Sequence, residues 1–234
     1  HNMNPYDKWF DKKAPFSSFE RRRLVGGGIR ESALTATYSL LDLDKFPAHV
    51  IGNTPDIMVD YGADDGRVGF NLAVAMDVGQ LVTVNGRVDD LIASSSKVTN
   101  IESDDYMVPT FIEKPDLFVL NDVVSWMGNR EKMLQMFIKM AGELSEKGIV
   151  LVVQTDNTPV KITNVRENFE FIKKNNPDLL RKILFVLPKE SSSDTLSEDI
   201  VLSAFEGDLA SQLAAYRESV HDKEFVINGI REKI

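Results

Sequence analysis

The 234-residue sequence contains no cysteine, and this absence excludes several kinds of chemistry at once. A chain without thiols has no disulfide bonds, no thiolate metal ligands and no cysteine nucleophile. Histidine is scarce too: His1, His49 and His221 are the only three, and they lie far apart in the sequence, so no zinc site is expected. The lack of cysteine fits an intracellular, cytoplasmic protein, which is the location that we predict.

Long apolar runs are also missing. No stretch approaches the roughly 18 consecutive apolar residues that a membrane-spanning helix needs, and no signal-peptide pattern is present, so a membrane partner is not expected. The hydrophobic fraction of 43% is nevertheless sufficient for a substantial core. The length suits one large domain with an extension.

Positive charge is in the minority, because 27 lysines and arginines face 36 acidic residues and the net charge is −9. This balance disfavours a protein whose whole surface binds a polyanion. Basic residues concentrate near the N-terminus, where they form either a solvated segment or a contact for a phosphate-bearing substrate: Lys8, Lys12, Lys13, Arg21, Arg22, Arg23 and Arg30. We therefore predict a basic N-terminal extension over residues 1–29, in which residues 1–2 are the remnant of a tag, and a main domain over residues 30–234.

Helical and strand patterns alternate along the main domain, which is typical of an α/β fold with a mostly parallel sheet. The strand candidates are "DIMVDY", "QLVTVN", "KVTNIE", "DLFVLN", "IVLVVQ", "KILFVLP" and "DIVLSAF". The clearest helix is predicted to begin after Asn129 as its N-cap, to bury Met133, Phe137, Met140 and Leu144 in the core, and to stop at Gly148. The polar residues 189–199 predict a surface loop.

Ligands of an open parallel sheet bind beyond the carboxyl ends of its strands, so the residues after each strand are the candidate site. These are residues 60–66, 85–87, 102–105, 121–126 and 154–158, which are largely polar and acidic. A nucleoside triphosphate is disfavoured because "VGGGIRES" lacks the lysine of a phosphate-binding loop. The acidic strand ends instead suit a ligand that carries hydroxyls, an amine and a positive centre.

Two segments resemble the class I S-adenosylmethionine-dependent methyltransferases. "VDYGADDGR", residues 59–67, is similar to the family's Asp/Glu-x-Gly-x-Gly-x-Gly turn after its first strand. "PDLFVLNDVVSWMGNREKMLQMFIKMAGELSEKGIVLVV" resembles the fourth strand, the helix after it and the fifth strand. The resemblance covers roughly residues 30 to 206. It implies a Rossmann-like methyltransferase fold, with a seven-stranded mostly parallel sheet, helices on both faces and the last strand antiparallel, and it implies S-adenosyl-L-methionine as the cofactor.

The resemblance also implies roles for the residues of the first loop. Asp60 would orient the loop, and Gly62, Ala63 and Gly66 would let the backbone approach the amino-acid portion of the cofactor. Asp64 stands where the family has its middle glycine, so its side chain must point away from the cofactor.

Further roles follow for the other strand ends. Asn85 stands where the family usually has an acidic residue that holds the ribose, and Asp104 or Asp105 where a residue often receives the adenine amino group. Asn121 and Asp122 stand near the position of methyl transfer, and Asp122 is the candidate general base, with a turn or helix-start role as the alternative. Trp126 either stacks on a flat substrate or covers the edge of the core.

Two kinds of methyl acceptor are possible: a small molecule or protein, or RNA. DNA amino-methylating enzymes are disfavoured because "NDVVSW" lacks their prolines. An RNA cap or ribose methyltransferase, for instance a domain of a viral replicase, would place Arg30 and Asp122 near two members of its catalytic tetrad, but Gln154 stands where its second lysine is expected. Lys161, a few residues further on, could take the place of that lysine only if the chain folds back. The third alternative is a methyltransferase-like interaction domain without activity, as the departures at Asp64 and Asn85 would allow. The oligomeric state is left open.

Overall fold

Seven strands form the centre of the molecule. The computed structural model describes residues 5–11, 16–25, 38–188 and 199–220, with the backbone alone for residues 199–200. The strands are β1 (Ile57–Asp64), β2 (Gln80–Gly86), β3 (Val98–Ile101), β4 (Leu117–Asn121), β5 (Ile149–Val153), β6 (Ile183–Pro188) and β7 (Asp199–Leu202). They lie in the order β3-β2-β1-β4-β5-β6-β7, and every neighbouring pair is parallel except β6 and β7. The predicted sheet, with its antiparallel last strand, is therefore confirmed.

Helices cover both faces of this sheet, as predicted. They are α1 (Ser18–Val25), α2 (Phe46–Ile51), α3 (Arg67–Met76), α4 (Asp90–Ala93), α5 (Arg130–Glu143) and α6 (Pro159–Asn175), and residues 209–220 are helical as well. The apolar faces of α5 and α6 pack on one side of the sheet, and α3 and residues 209–213 contribute to the core on the other. Within the described ranges, every helix is too short or too polar to cross a membrane.

The central strands are buried on both faces, which explains their continuous apolar runs. In β4, Phe118 and Leu120 point into the core on the α5 side, whereas Leu117 and Val119 point into the opposite core. This two-residue alternation follows from the pleat of a strand. The arrangement fixes the carboxyl ends of β1, β4 and β5 next to one another at one edge of the sheet.

Two boundaries differ from the sequence prediction. β1 continues through Gly62 to Asp64, with a register shift against β2 after Tyr61, so the turn begins only at Asp65. The helix α5 ends at Glu143 and not at Gly148. Its end is set by Ser145, whose amide donates to Pro115 O and whose hydroxyl donates to Asp116 Oδ1 at 2.6 Å, which draws the chain towards the start of β4.

The described parts of the N-terminal 29 residues pack against the main domain. Trp9 and Leu24 are buried, and the Trp9 ring meets Phe70 of α3 edge-on with 5.6 Å between the ring centroids. The predicted boundary between residues 29 and 30 lies outside the described residues, as do Lys12, Lys13, Arg30 and residues 189–198 of the predicted surface loop.

Candidate functional site

A cavity of about 500 Å³ opens at the carboxyl ends of β1, β4 and β5. The chain order reverses between β1 and β4, so the cavity lies at the switch point where open α/β sheets bind their ligands. Six of the predicted site residues line it: Asp60, Gly62, Ala63, Asp64, Asn121 and Asp122. The structure thus brings the first-loop residues and the residues after β4 together.

The other four predicted residues do not line this cavity. Asn85 directs its Oδ1 to the amide of Ser103, at 2.6 Å, and so ties β2 to the loop after β3. Asp104 and Asp105 are exposed in that loop. Gly66 forms the N-cap of α3 with a φ of 82°.

A glycine is needed at position 62 because the end of β1 lies close to the turn after β4. The φ of 75° at Gly62 lies in the left-handed region, and a Cβ added there would lie 2.7 Å from Val123 Cγ2 in the turn after β4. A side chain at this position would therefore be strained and would push the β1 and β4 edges apart. Gly62 shapes the floor of the cavity.

Asp60 is a buried carboxylate at the edge of the cavity, with 4% of its surface exposed. Burial, together with the charges of Asp65 and Asp64, raises its pKa to about 7. Among the described residues its carboxylate has no hydrogen-bond or ion-pair partner. It lies against α3 at Gly69, where an added Cβ would be 2.5 Å from Asp60 Cγ. Asp60 is thus a desolvated carboxyl group whose ionised form a positively charged ligand would stabilise.

Asp122 holds the loop that follows β5. Its Oδ1 accepts from the amides of Thr155, at 2.6 Å, and Asp156, at 3.2 Å, and its Oδ2 accepts from the Thr155 hydroxyl at 2.6 Å. The neighbouring Asn121 donates to Asp122 Oδ2 at 3.3 Å and accepts from the buried Tyr38 hydroxyl at 2.9 Å. These bonds favour the turn role of Asp122 and give it a fixed position beside the cavity.

An ion pair and an exposed indole lie on the β5 side of the cavity. Lys161 Nζ donates to Asp156 Oδ2 at 2.7 Å, and this bond, with help from Thr158, holds the pKa of Asp156 well below its usual range. The same ammonium lies 4.6 Å from the centroid of the Trp126 ring. Trp126 is 73% exposed, so it does not cover the core, which was one of its two predicted roles.

Gln154 brings a buried amide to the same cavity, with 2% of its surface exposed. Its Nε2 donates to Asp156 O at 3.0 Å, and because a carbonyl only accepts, this bond fixes the orientation of the amide. Gln154 Oε1 then has no hydrogen-bond partner among the described residues. A buried acceptor without a partner is rare in folded proteins, so Gln154 Oε1 is an unsatisfied polar atom beside the cavity.

The charges around the cavity are mostly negative. Of the described residues that line it, five are aspartates and one, Lys161, is a lysine. Asp156 and Lys161 neutralise each other, and Asp65 pairs with Arg67 at 2.6 Å. The remaining carboxylates favour a cationic ligand over an anionic one. The described residues contain no cluster of histidine and acidic side chains that could hold a metal ion.

The sequence predicted some of the residues at this site and did not signal the contacts of others. Gln154, Asp156 and Trp126 fall within the predicted strand-end segments. Lys161 lies one helical turn beyond them and lines the cavity; the sequence offered it only as a substitute lysine of the RNA alternative. Tyr38 contacts Asn121 across 83 positions of sequence, and nothing in its local pattern signals that contact.

No family model matches the chain, and no curated protein matches it. Among solved structures, it is similar to the plantazolicin methyltransferase BpumL in complex with a desmethylPZN analog and SAH, at 12% identity and a TM-score of 0.45 over 70% of this chain and 68% of that one.

Two further solved structures are similar over less of the chain. The N-methyltransferase NodS from Bradyrhizobium japonicum WM9 gives 15% identity and a TM-score of 0.37 over 47% of this chain and 64% of that one. The SAM-bound amino pentose methyltransferase from Micromonospora echinaspora gives 13% identity and a TM-score of 0.40 over 61% and 58%. At such identities, the function of this chain has to follow from its own cavity.

Proposed function

We propose that the chain is an S-adenosyl-L-methionine-dependent methyltransferase and that the cavity between β1, β4 and β5 holds the cofactor. The observation that carries this proposal is the buried Asp60 carboxylate, which lacks a cationic partner among the described residues in a cavity whose charged lining residues are five aspartates and one lysine. S-adenosylmethionine brings a sulfonium and an ammonium group to such a site and supplies a methyl group that an acceptor's lone pair can take. The solved structures with bound SAM or SAH are consistent with this cofactor.

The residues fit one half of the cofactor better than the other. Asp60, Gly62 and Ala63 offer a desolvated anion and a close backbone approach to the amino-acid and sulfonium portion. Asp64 is exposed, has a φ of 52° and contributes to the lining of the cavity. The ribose and the adenine would extend beyond this cavity, because the residues proposed to hold them do not line it: Asn85, Asp104 and Asp105.

Calorimetry with three related ligands tests the proposal. We expect S-adenosylmethionine and sinefungin, which both carry a positive centre in place of the neutral sulfur of S-adenosylhomocysteine, to bind more tightly than S-adenosylhomocysteine. The difference should shrink as salt is raised, because it is electrostatic. If none of the three gives heat or a thermal shift at millimolar concentration, the enzyme proposal is wrong and the interaction-domain alternative takes its place.

The Asp122→Asn variant distinguishes the two roles proposed for Asp122. Asparagine tolerates the φ of 57° and keeps one acceptor oxygen for the loop after β5. If Asp122 only positions that loop, methyl transfer should fall by less than about tenfold. A general base would instead lose about 100-fold or more in kcat. The hydrogen bonds to Thr155 and Asp156 favour the smaller effect, and a first-turnover measurement at saturating cofactor decides between the two.

The charges that line the cavity bear on the choice between a small molecule or protein and RNA as the methyl acceptor. A small molecule or a protein side chain suits the acidic cavity better than a phosphate-rich RNA, because phosphates would meet uncompensated aspartates. The RNA alternative would gain support only from methyl transfer to capped RNA that Asp122→Asn abolishes.

A further inference from the structure

The exposed indole of Trp126 is the large apolar group of the cavity wall. It is 73% exposed, although tryptophan gains more than most residues from burial. The residue lies in the short turn Val124–Trp126 that directly follows β4 and the cavity residues Asn121 and Asp122. An exposed tryptophan in the wall of a cavity is better explained by contact with a ligand than by packing in the core.

The turn that carries Trp126 is held rigidly by α6. Asn164 Nδ2 donates to Ser125 O at 2.9 Å, on the N-terminal side of the tryptophan. Asn168 Nδ2 donates to Met127 O at 3.0 Å, on its C-terminal side, and Arg130 donates to Asn168 Oδ1 at 3.0 Å. These bonds give the backbone that carries the indole a defined position beside the cavity.

The charges next to the indole restrict what can stack on it. The Lys161 ammonium lies 4.6 Å from the ring centroid, but it is bonded to Asp156 and its charge is neutralised. Two other carboxylates of the cavity wall, Asp60 and Asp64, have no ion-pair partner among the described residues. An electron-rich indole beside carboxylates attracts neutral or cationic rings and repels anionic ones.

We infer that Trp126 is the specificity-determining platform of the acceptor subsite, and that the methyl acceptor is a flat aromatic or heteroaromatic molecule without negative charge. The inference rests on the proposed function, because it places the acceptor beside the cofactor. Stacking on a fixed aromatic face would hold the ring of the acceptor while its nucleophilic atom faces the cavity.

Three probe molecules test the platform on the full chain in the presence of saturating S-adenosylhomocysteine. They are nicotinamide methylated on its ring nitrogen, a flat cation; nicotinate, a flat anion with the same ring; and N-methylpiperidine, a cation that is not flat. Of the two tryptophans, Trp9 is 1% exposed, so quenching of tryptophan fluorescence reports on Trp126. We expect saturable quenching by the flat cation and at least about tenfold weaker binding of the other two.

Variants at the platform complete the test by calorimetry. Trp126→Phe keeps a flat face and should hold the flat cation within about threefold of the native affinity, whereas Trp126→Leu should weaken it by about tenfold or more. Equal affinity in both variants, quenching that rises without saturation, or tight binding of nicotinate would each overturn the inference.

The failure of the proposed function would be seen separately. S-adenosylhomocysteine binding is measured on the native chain without any probe. Absence of that binding overturns the cofactor proposal, while saturable stacking of the flat cation on the cofactor-free chain would still support the platform.

Discussion

Replacing Asp60 by asparagine should make the protein more stable above neutral pH and should weaken cofactor binding at the same time. The folded-state pKa of Asp60, about 7, lies well above the value near 3.9 of an unfolded aspartate. The folded chain therefore binds more protons than the unfolded chain between these two values, and the free energy of unfolding falls as the pH rises through this window. The cost of the buried charge is fully present only above pH 7.

The size of the effect follows from the pKa difference. A pKa of about 7 in the folded state against about 3.9 in the unfolded state corresponds to about 4 kcal/mol, so Asp60→Asn should gain on the order of 2–4 kcal/mol in unfolding free energy at about pH 8. At about pH 5 the native carboxyl is protonated and neutral, so the two proteins should differ little. Urea unfolding at the two pH values measures this difference directly.

Ligand affinity should move in the opposite direction. A cationic ligand stabilises the ionised form of Asp60, so the native protein should bind S-adenosylmethionine more tightly as the pH rises through 7, with release of a proton. Asp60→Asn should lose at least about tenfold in affinity at about pH 8 and should lose the pH dependence. The preference for S-adenosylmethionine over S-adenosylhomocysteine should decrease with it.

Asp178→Asn is the matched control for this experiment. It makes the same change of charge at an aspartate whose side chain is 88% exposed and which lies outside the cavity lining, so its unfolding free energy should stay within about 0.5 kcal/mol at both pH values. If the native protein were equally stable at both pH values, or if Asp60→Asn behaved like this control, Asp60 would not be the buried anion of the site.

The sheet and the cavity edge could be predicted because they follow from local patterns. Buried apolar runs identified the strands, and the rule that ligands bind at the carboxyl ends of parallel strands pointed to residues after β1, β4 and β5. Asp60, Gly62 and Asn121 do lie together there. Position along the chain is sufficient for this level of prediction because strand ends are fixed by the pairing of the sheet.

Side-chain direction could not be predicted in the same way. Asn85 follows β2 as expected, but its φ of 57° and its bond to the Ser103 amide turn it towards the loop after β3. Asp122 was expected near the reacting atoms, and only the contact with Thr155 shows that its carboxylate holds a loop. The exposure of Trp126 depends on Asn164 and Asn168, which lie about 40 positions further along the chain. Such contacts depend on the packed structure and leave no local signal.

Replacing Gly69 by alanine should destabilise the protein, although the same change in most helices is stabilising. Alanine normally gains about 0.5–1 kcal/mol over glycine inside a helix. At Gly69 in α3, however, the added Cβ would overlap Asp60 Oδ2 and lie 2.5 Å from Asp60 Cγ, so the carboxylate or the helix must shift. Overpacking of this kind costs about 1–3 kcal/mol, and it should also abolish the cofactor affinity that depends on the position of Asp60.

Gly142 in α5 provides the control, because an added Cβ there would meet nothing within 4 Å. Gly142→Ala should gain about 0.5–1 kcal/mol in unfolding free energy, so the two glycine-to-alanine variants should differ in sign. A double-mutant cycle with Asp60→Ala then assigns the cause. Asp60→Ala removes the two closest contacts and leaves Asp60 Cβ at 2.9 Å, so it should relieve most but not all of the Gly69→Ala penalty. If Gly69→Ala were as stabilising as Gly142→Ala, α3 would not pack against the Asp60 carboxylate, and the desolvation on which the cofactor proposal depends would be absent.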